Sequence, residues 1–163
     1  MELILMENTL IVYFSKSGRT KAIAEQIAKE IHAPLHEIVT QKKYPRNYLM
    51  TILESRKEFK HDEKPALTDS PIENFDSYKN IIIGFPIWFW TCPMAVVSFI
   101  EKYNFTGKTI YPFFTSGSSG GDKAAAKIRE LCPGATVHDA FNANKFDSTK
   151  ISEWLTRQPG LNS

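Results

Sequence analysis

A polar loop near the start of the chain carries the side chains best suited to hold an anion. It contains three hydroxyl residues, two cations and one glycine: Ser15, Lys16, Ser17, Gly18, Arg19 and Thr20. An apolar run at residues 11–14 precedes it, and apolar residues recur at helical spacing from residue 22 to 31. A strand, a tight loop and a helix in this order aim backbone N–H groups and the positive end of a helix dipole at one point. The pattern therefore predicts an anion site, most often one for a phosphate.

The glycine spacing excludes two familiar phosphate loops. A Walker loop needs four residues between its first glycine and a Gly-Lys-Ser/Thr ending, and a dinucleotide loop needs three glycines. Gly18 is the only glycine in this loop. A phosphate held mainly by hydroxyls and amides suits a mononucleotide ester rather than a reacting triphosphate. The alternative interpretation is that Ser15, Ser17 and Thr20 only cap the helix, as such residues do in many loops.

Three large aromatic residues follow one another in a second loop. The segment is Pro86, Ile87, Trp88, Phe89 and Trp90, and it comes after an apolar run at residues 81–85. Consecutive loop residues cannot all point inward, so we expect at least one ring to face a cleft or solvent. An exposed ring can stack on a flat ligand. The alternative is that all three rings cover the edge of the core.

A third loop is rich in serine and glycine and supports a rival hypothesis. Residues 117–121 satisfy Gly-x-Ser-x-Gly, with Ser119 where a hydrolase nucleophile would stand between a strand and a helix. Such hydrolases have an acid and then a histidine later in the chain. Only His138 follows, with Asp122 and Glu130 between. Asp122 is too near the turn and Glu130 has the pattern of an exposed helix residue, so the hydrolase is a distant alternative.

Composition indicates a soluble globular protein. The chain has 163 residues, 42% apolar and 23% charged, which predicts one domain over residues 1–163 with a core at about residues 9–157. A net charge of +2 without a long basic run argues against nucleic-acid binding. No apolar run approaches the ~20 residues of a membrane span. Two distant cysteines and no ligand-spaced histidines indicate a reducing cytoplasm and no metal.

Strand-like and helix-like segments alternate along the chain. The predicted strands are residues 9–14, 35–39, 81–85, 109–114 and 137–141. The predicted helices are residues 21–31, 48–59, 94–103, 122–131 and 149–155, the last capped by Ser148. This alternation predicts an α/β fold with a doubly wound, five-stranded parallel sheet. Residues 44–64, basic and aromatic, form either a solvated crossover helix or a docking surface.

Together the three loops resemble those of the flavodoxin family, and the resemblance covers nearly the whole chain. It implies the strand order 2-1-3-4-5 and bound flavin mononucleotide (FMN). It places the phosphate on Ser15, Ser17, Gly18, Arg19 and Thr20, and the ring between the second and third loops. The implied cofactor-binding residues also include Lys16, Pro86, Ile87, Trp88, Phe89, Trp90, Thr115, Ser116, Gly117 and Gly120. No side chain is assigned a catalytic role, since the flavin carries the chemistry.

Two departures from the family pattern stand out. Arg19 replaces the usual asparagine, and we expect it to keep the phosphate site and to strengthen it by bidentate pairing. Trp90 stands where similar loops carry glycine, and a tryptophan resists positive φ. We therefore expect weak stabilisation of the one-electron form of the flavin and a preference for two-electron chemistry. The sequence pI near 8.5 also differs from the acidic carriers of the family.

The resemblance implies a cytoplasmic, FMN-binding redox protein. It favours an electron carrier that serves a redox partner protein. The alternative is an FMN-dependent NAD(P)H:quinone-type reductase that passes electrons to a small acceptor. No nicotinamide-binding motif is recognisable, which leaves the choice open.

Overall fold

A parallel sheet with helices on both faces is the framework of this computed structural model, which describes residues 8–115, 121–144, 147–158 and 160–161. The strands are β1 (Thr9–Tyr13), β2 (Leu35–Glu37), β3 (Asn80–Pro86), β4 (Thr109–Thr115), β5 (Thr136–Val137) and β6 (Phe141–Asn142). Their order is β2-β1-β3-β4-β5, with β6 also paired to β4, and every pairing is parallel. The predicted fold class and the order 2-1-3-4-5 are confirmed, with β6 as an additional strand.

Five α-helices within the described ranges cover the two faces of the sheet. They are α1 (Arg19–Ile31), α2 (Tyr48–His61), α3 (Met94–Lys102), α4 (Gly121–Leu131) and α5 (Ser148–Thr156), and a short 3₁₀ helix spans Phe75–Ser77. The apolar faces of α1 and α5 pack into one core cluster. Those of α3 and α4 pack into the other, and α2 lies beside α3. The middle strands β1, β3 and β4 are buried on both faces, as interior parallel strands must be.

Two sequence-based expectations about the carboxyl-terminal part are wrong. The fifth strand, predicted as one run at residues 137–141, is divided into β5 and β6. Between them Asp139 is turned outward and pairs with Arg129 at 3.1 Å, while the Arg129 guanidinium also donates to the Val137 carbonyl. The cap of α5 is Asp147, whose carboxylate accepts the backbone N–H of Thr149 at 2.8 Å, and Ser148 is the first helical residue. Asp and Ser are equally good caps, so the sequence could not choose between them.

The close approach of a phenyl ring to a glycine aligns the three middle strands. Tyr13 of β1, Gly84 of β3 and Phe113 of β4 lie side by side in the ladder. A Cβ atom added to Gly84 would lie 2.0 Å from Cζ of Phe113, so the ring occupies the space of the missing side chain. Because the three strands are level here, their carboxyl ends finish at the same edge of the sheet.

The connection from β3 to α3 contains a two-residue hairpin with an unusual backbone. Trp88 and Thr91 exchange two backbone hydrogen bonds of 3.0 and 3.3 Å. The central residues Phe89 and Trp90 have φ of 51° and 62°, the pattern of a type I′ turn, which favours Asn-Gly. The expectation that Trp90 avoids positive φ is therefore wrong. The expected preference for two-electron chemistry rested on the resistance of Trp90 to positive φ, and that argument no longer holds.

Helix α2 turns its polar side inward. Thr51, Ser55 and Glu58 are its buried residues, whereas Leu49 and Leu53 are exposed. Both carboxylate oxygens of Glu58 accept from the Tyr44 hydroxyl at 3.0 Å, and Lys42 forms an ion pair with the same carboxylate. Burial raises the pKa of Glu58, and the bonds from Lys42 and Tyr44 offset part of that rise. This network fastens α2 to the loop that carries Tyr44.

The Gly84–Phe113 contact predicts that Gly84→Ala lowers the free energy of unfolding by about 1–3 kcal/mol, because the new methyl group overpacks a filled core. Urea unfolding of the purified variant measures this. In a Phe113→Leu background the ring is gone, so we expect the same change at Gly84 to cost less. Equal costs in both backgrounds would show that the contact does not set the requirement for glycine.

The hairpin backbone predicts that Trp90→Gly is more stable than Trp90→Ala by about 1 kcal/mol, because only glycine adopts positive φ without strain. Both variants lack the indole ring, so the comparison isolates the backbone. The same two changes at Lys29, an exposed position in α1, should rank in the reverse order because alanine favours helices. The midpoints of urea unfolding of the four variants measure these differences in stability. If Trp90→Ala is more stable than Trp90→Gly, the assigned turn is contradicted.

The raised pKa of Glu58 predicts a pH-dependent difference between the protein and its Glu58→Gln variant. Between the unfolded pKa near 4.5 and the higher folded value, the folded chain binds the proton more tightly than the unfolded chain does. As pH rises through that window, the wild type should lose stability relative to Glu58→Gln, and the difference should then level off. Denaturant unfolding of both proteins from about pH 4 to about pH 8 measures it. If the wild type instead becomes more stable relative to Glu58→Gln as the pH rises over this range, the folded pKa of Glu58 is lowered and not raised.

Candidate functional site

The loop after β1 forms an open cradle at the start of α1. The Ser15 hydroxyl accepts the backbone N–H of Gly18 at 3.1 Å, and Gly18 has φ of 92° immediately before the helix. Within the described residues no side chain caps α1, and its first turn holds no acidic residue. The first N–H groups of a helix have no partner within the helix, and a helix start of this kind suits an anion. Of the three hydroxyls that could cap this helix, Ser15 bonds the N–H of the N-cap residue Gly18, whereas Thr20 bonds Thr115 instead.

A pair of buried hydroxyl groups joins this cradle to the end of β4. Oγ1 of Thr20 and Oγ1 of Thr115 share a hydrogen bond of 2.8 Å, and both residues are almost completely buried. Thr20 lies in the first turn of α1, and Thr115 is the last residue before the serine–glycine loop. The bond therefore holds the first and third loops of the site next to each other.

Both cations of the cradle donate to backbone carbonyls at its margin. Lys16 Nζ donates to the Arg46 carbonyl at 3.1 Å, and Arg19 Nη2 donates to the Asn144 carbonyl at 2.9 Å. These bonds place positive charge on two sides of the helix start. The Arg19 bond also fastens the segment after β6 to the loop. Neither partner could be predicted from local spacing, because both lie far away along the chain.

The aromatic segment divides its rings between the core and the surface. Trp88 is buried and packs edge-on against Phe14 at 5.5 Å and Tyr44 at 4.9 Å. Phe89 is half-buried, and Trp90 is 58% exposed. Trp88 thus covers the core edge, whereas Trp90 is the ring that faces solvent. Before this segment turns outward, the backbone N–H of Ile87 donates to the Thr115 carbonyl at 2.8 Å, which ties the second loop to the third.

Only the two ends of the third loop can be described. Thr115 is buried and Gly121 begins α4, whereas Ser116, Gly117, Ser119 and Gly120 lie outside the described residues. The hydrolase hypothesis also needs His138, whose ring stacks on Tyr111 at 4.7 Å. Tyr111 precedes Thr115 by four strand residues, about 13 Å along β4. This position of His138 gives no support to a pair with Ser119.

The described part of the site has a helix start at one end and aromatic rings at the other. The fold brings Ser15–Thr20, Ile87, Trp88 and Thr115 to the same edge of the sheet. Tyr44 completes the packing around Trp88. Its segment, residues 44–64, was predicted to be a crossover helix or a docking surface, and nothing in its spacing indicated this contact. Such an arrangement suits a ligand that carries a phosphate and a flat ring.

No described helix is long and apolar enough to cross a membrane. No group of three or more metal-ligating side chains occurs in the same ranges.

Comparisons with known proteins agree with this geometry. The family model described as flavodoxin matches residues 8–158. A provisionally named flavoprotein from Bacteroides uniformis is 31% identical, with a TM-score of 0.83 over 93% of this chain and 99% of that one. Another from Bacteroides eggerthii is 30% identical, with a TM-score of 0.80 over 91% and 95% of the two chains.

A flavoprotein from Lactobacillus acidophilus, solved in complex with FMN, has the same fold. It is 24% identical, with a TM-score of 0.75 over 91% of this chain and 98% of that one. No curated protein matches the sequence. The family model spans almost the whole chain, and the Bacteroides structures add relatives of at least 30% identity. The chain belongs to the flavodoxin family.

Proposed function

We propose that this protein binds FMN and carries electrons to a redox partner protein. The observation that carries the proposal is the uncapped start of α1, which lies beside an aromatic hairpin at the switch edge of a flavodoxin sheet. The FMN complex of the Lactobacillus acidophilus relative supports the choice of flavin. The donor set of hydroxyls, backbone amides and nearby cations fits a phosphate monoester.

The cradle would hold the phosphate, with Ser15, Ser17, Gly18 and Thr20 as donors and with Lys16 and Arg19 as nearby charge. The ring would lie between two loops, with Pro86, Ile87, Trp88, Phe89 and Trp90 on one side and Thr115, Ser116, Gly117 and Gly120 on the other. Bound FMN supplies the electron chemistry. The side chains bind it, orient it and exclude water.

Charge and exposure support a carrier with an acidic partner. Lys16 and Arg19 are exposed in the cradle, and Trp90 is an exposed ring of the second loop. Exposed cations and an exposed aromatic ring suit a partner with carboxylates on its docking face. Cys92 and Cys132 are unpaired and buried, which supports the cytoplasm as the compartment. We also propose that residues 1–163 form one domain.

A carboxylate placed in the cradle should compete with the phosphate. We expect Ser17→Asp to weaken FMN binding at least tenfold, because Ser17 is exposed just before the uncapped helix and the new charge repels the phosphate. The same change should not lower the thermal stability of the ligand-free protein, since an acidic residue there favours the helix dipole. Quenching of flavin fluorescence measures the affinity.

Riboflavin, which lacks the phosphate, is the matched ligand, and Ser17→Ala is the matched variant. Riboflavin affinity should be nearly equal in all three proteins, so that only the ratio of FMN to riboflavin affinity falls in Ser17→Asp. An unchanged ratio would place the phosphate elsewhere. No binding of FMN by the wild type would overturn the proposed function.

A turnover assay separates a carrier from a reductase. The FMN-loaded protein is mixed with NADH or NADPH and a soluble quinone, and nicotinamide absorbance is followed. A carrier should show negligible oxidation under these conditions, while its chemically reduced form should still reduce ferricytochrome c. Sustained turnover with the quinone would instead establish a reductase.

A further inference from the structure

A second concave surface lies on the outer side of the aromatic hairpin. It is a groove of about 520 Å³ between the end of α2, the hairpin and α4. Its lining consists of Phe59, Phe89, Trp90 and Thr91 with Lys123, Ala126, Lys127 and Glu130 of α4. Trp88, which borders the cradle side of the same hairpin, is not part of this lining. The groove therefore adjoins the proposed FMN ring site, with which it shares Phe89 and Trp90, whereas Lys123 and Lys127 belong to the groove alone.

Three aromatic side chains form an apolar wall of the groove and are only partly covered. Phe89 lies between the other two, with ring centroids 5.7 Å from Phe59 and 5.3 Å from Trp90. Phe59 is 44% exposed and Trp90 is 58% exposed. An aromatic surface that remains in contact with water gains free energy when a flat apolar group covers it. The wall therefore suits a ligand with an aromatic ring system.

The opposite wall is positively charged. Lys123 and Lys127 are one turn apart on α4, and neither forms an ion pair with a carboxylate of the described residues. Arg56 of α2 does not line the groove, but its guanidinium lies 5.7 Å from the centroid of the Phe89 ring and adds positive charge near the aromatic wall. Glu130 is the one carboxylate in the described lining. The balance of charge therefore favours an anion.

We propose that this groove binds a small aromatic anion, such as an aromatic carboxylate or sulfonate. Its ring system lies against Phe89 and Trp90, and its anionic group lies between Lys123 and Lys127. The volume falls within the range of about 300–1,000 Å³ usual for small-molecule sites. A flat bilayer surface would leave such a concave groove unfilled. A second copy of this chain would bring the same cations against each other.

Binding of 2-naphthoate tests the site, with 2-naphthamide as the uncharged ligand of the same shape. Calorimetry with the FMN-free protein gives the affinities, and amide NMR spectra give the location. We expect naphthoate to shift the signals of residues 88–91 and 121–131 and to bind more tightly than naphthamide. Trp90→Ala should weaken both ligands, because both lose the same ring contact.

Charge variants make the test specific. We expect Lys123→Gln combined with Lys127→Gln to weaken naphthoate about tenfold and to leave naphthamide unchanged, since one exposed and one half-buried charge are removed. Lys29→Gln combined with Lys102→Gln is the matched control on α1 and α3 and should leave both affinities unchanged. Circular dichroism confirms that each variant is folded.

Three results would overturn the proposal. They are no binding of naphthoate at millimolar concentration, equal affinity in the wild type and the Lys123/Lys127 double variant, and signal shifts confined to the cradle at residues 15–20. Affinity of the same proteins for FMN is measured separately. Naphthoate binding is measured on the FMN-free protein. A failure of the groove proposal is therefore seen separately from a failure of the proposed FMN binding.

Discussion

The contact between the Phe113 ring and Gly84 sets the level of the three strands that carry the site. A ring in the place of a missing side chain permits only one register of β3 against β4, because a shift by one residue would bring the ring against a side chain. Strand β1 is paired to β3 at the same level through Tyr13. The loops after these strands therefore meet at one edge, where a doubly wound sheet places its ligands. The anion cradle and the aromatic hairpin are neighbours for this reason.

The strained hairpin is held by packed aromatic residues, one of which is hydrogen-bonded to the buried carboxylate of Glu58. Positive φ at two non-glycine residues costs about 1–2 kcal/mol each. Complete burial of an aromatic side chain such as Trp88 returns about 1.5–3 kcal/mol, which offsets much of this cost. Trp88 packs on Tyr44, and the Tyr44 hydroxyl is held by Glu58 of α2. A continuous chain of contacts therefore links Glu58 to the hairpin through two aromatic residues.

Local patterns were sufficient to predict most of the fold. Local sequence patterns predicted all five helices of the described ranges to within about two residues at their ends, and the strand order came from a family resemblance in three loops. Features that depend on distant contacts were not predictable. Tyr44 contacts Trp88, Arg19 contacts Asn144, and β5 ends where Asp139 turns to Arg129. None of these pairs has a signal in the spacing of its own segment.

The inverted helix α2 shows why the net charge of a chain does not describe its surface. A formal charge of +2 is small, but the carboxylates of Glu54 and Glu58 are used to neutralise Lys42. Elsewhere in the described chain, Lys123 and Lys127 near the hairpin have no such partner. The edge that carries the hairpin is thus more positive than the chain as a whole. Because charges within about one Debye length dominate an encounter, this local excess is consistent with the anionic partners proposed above.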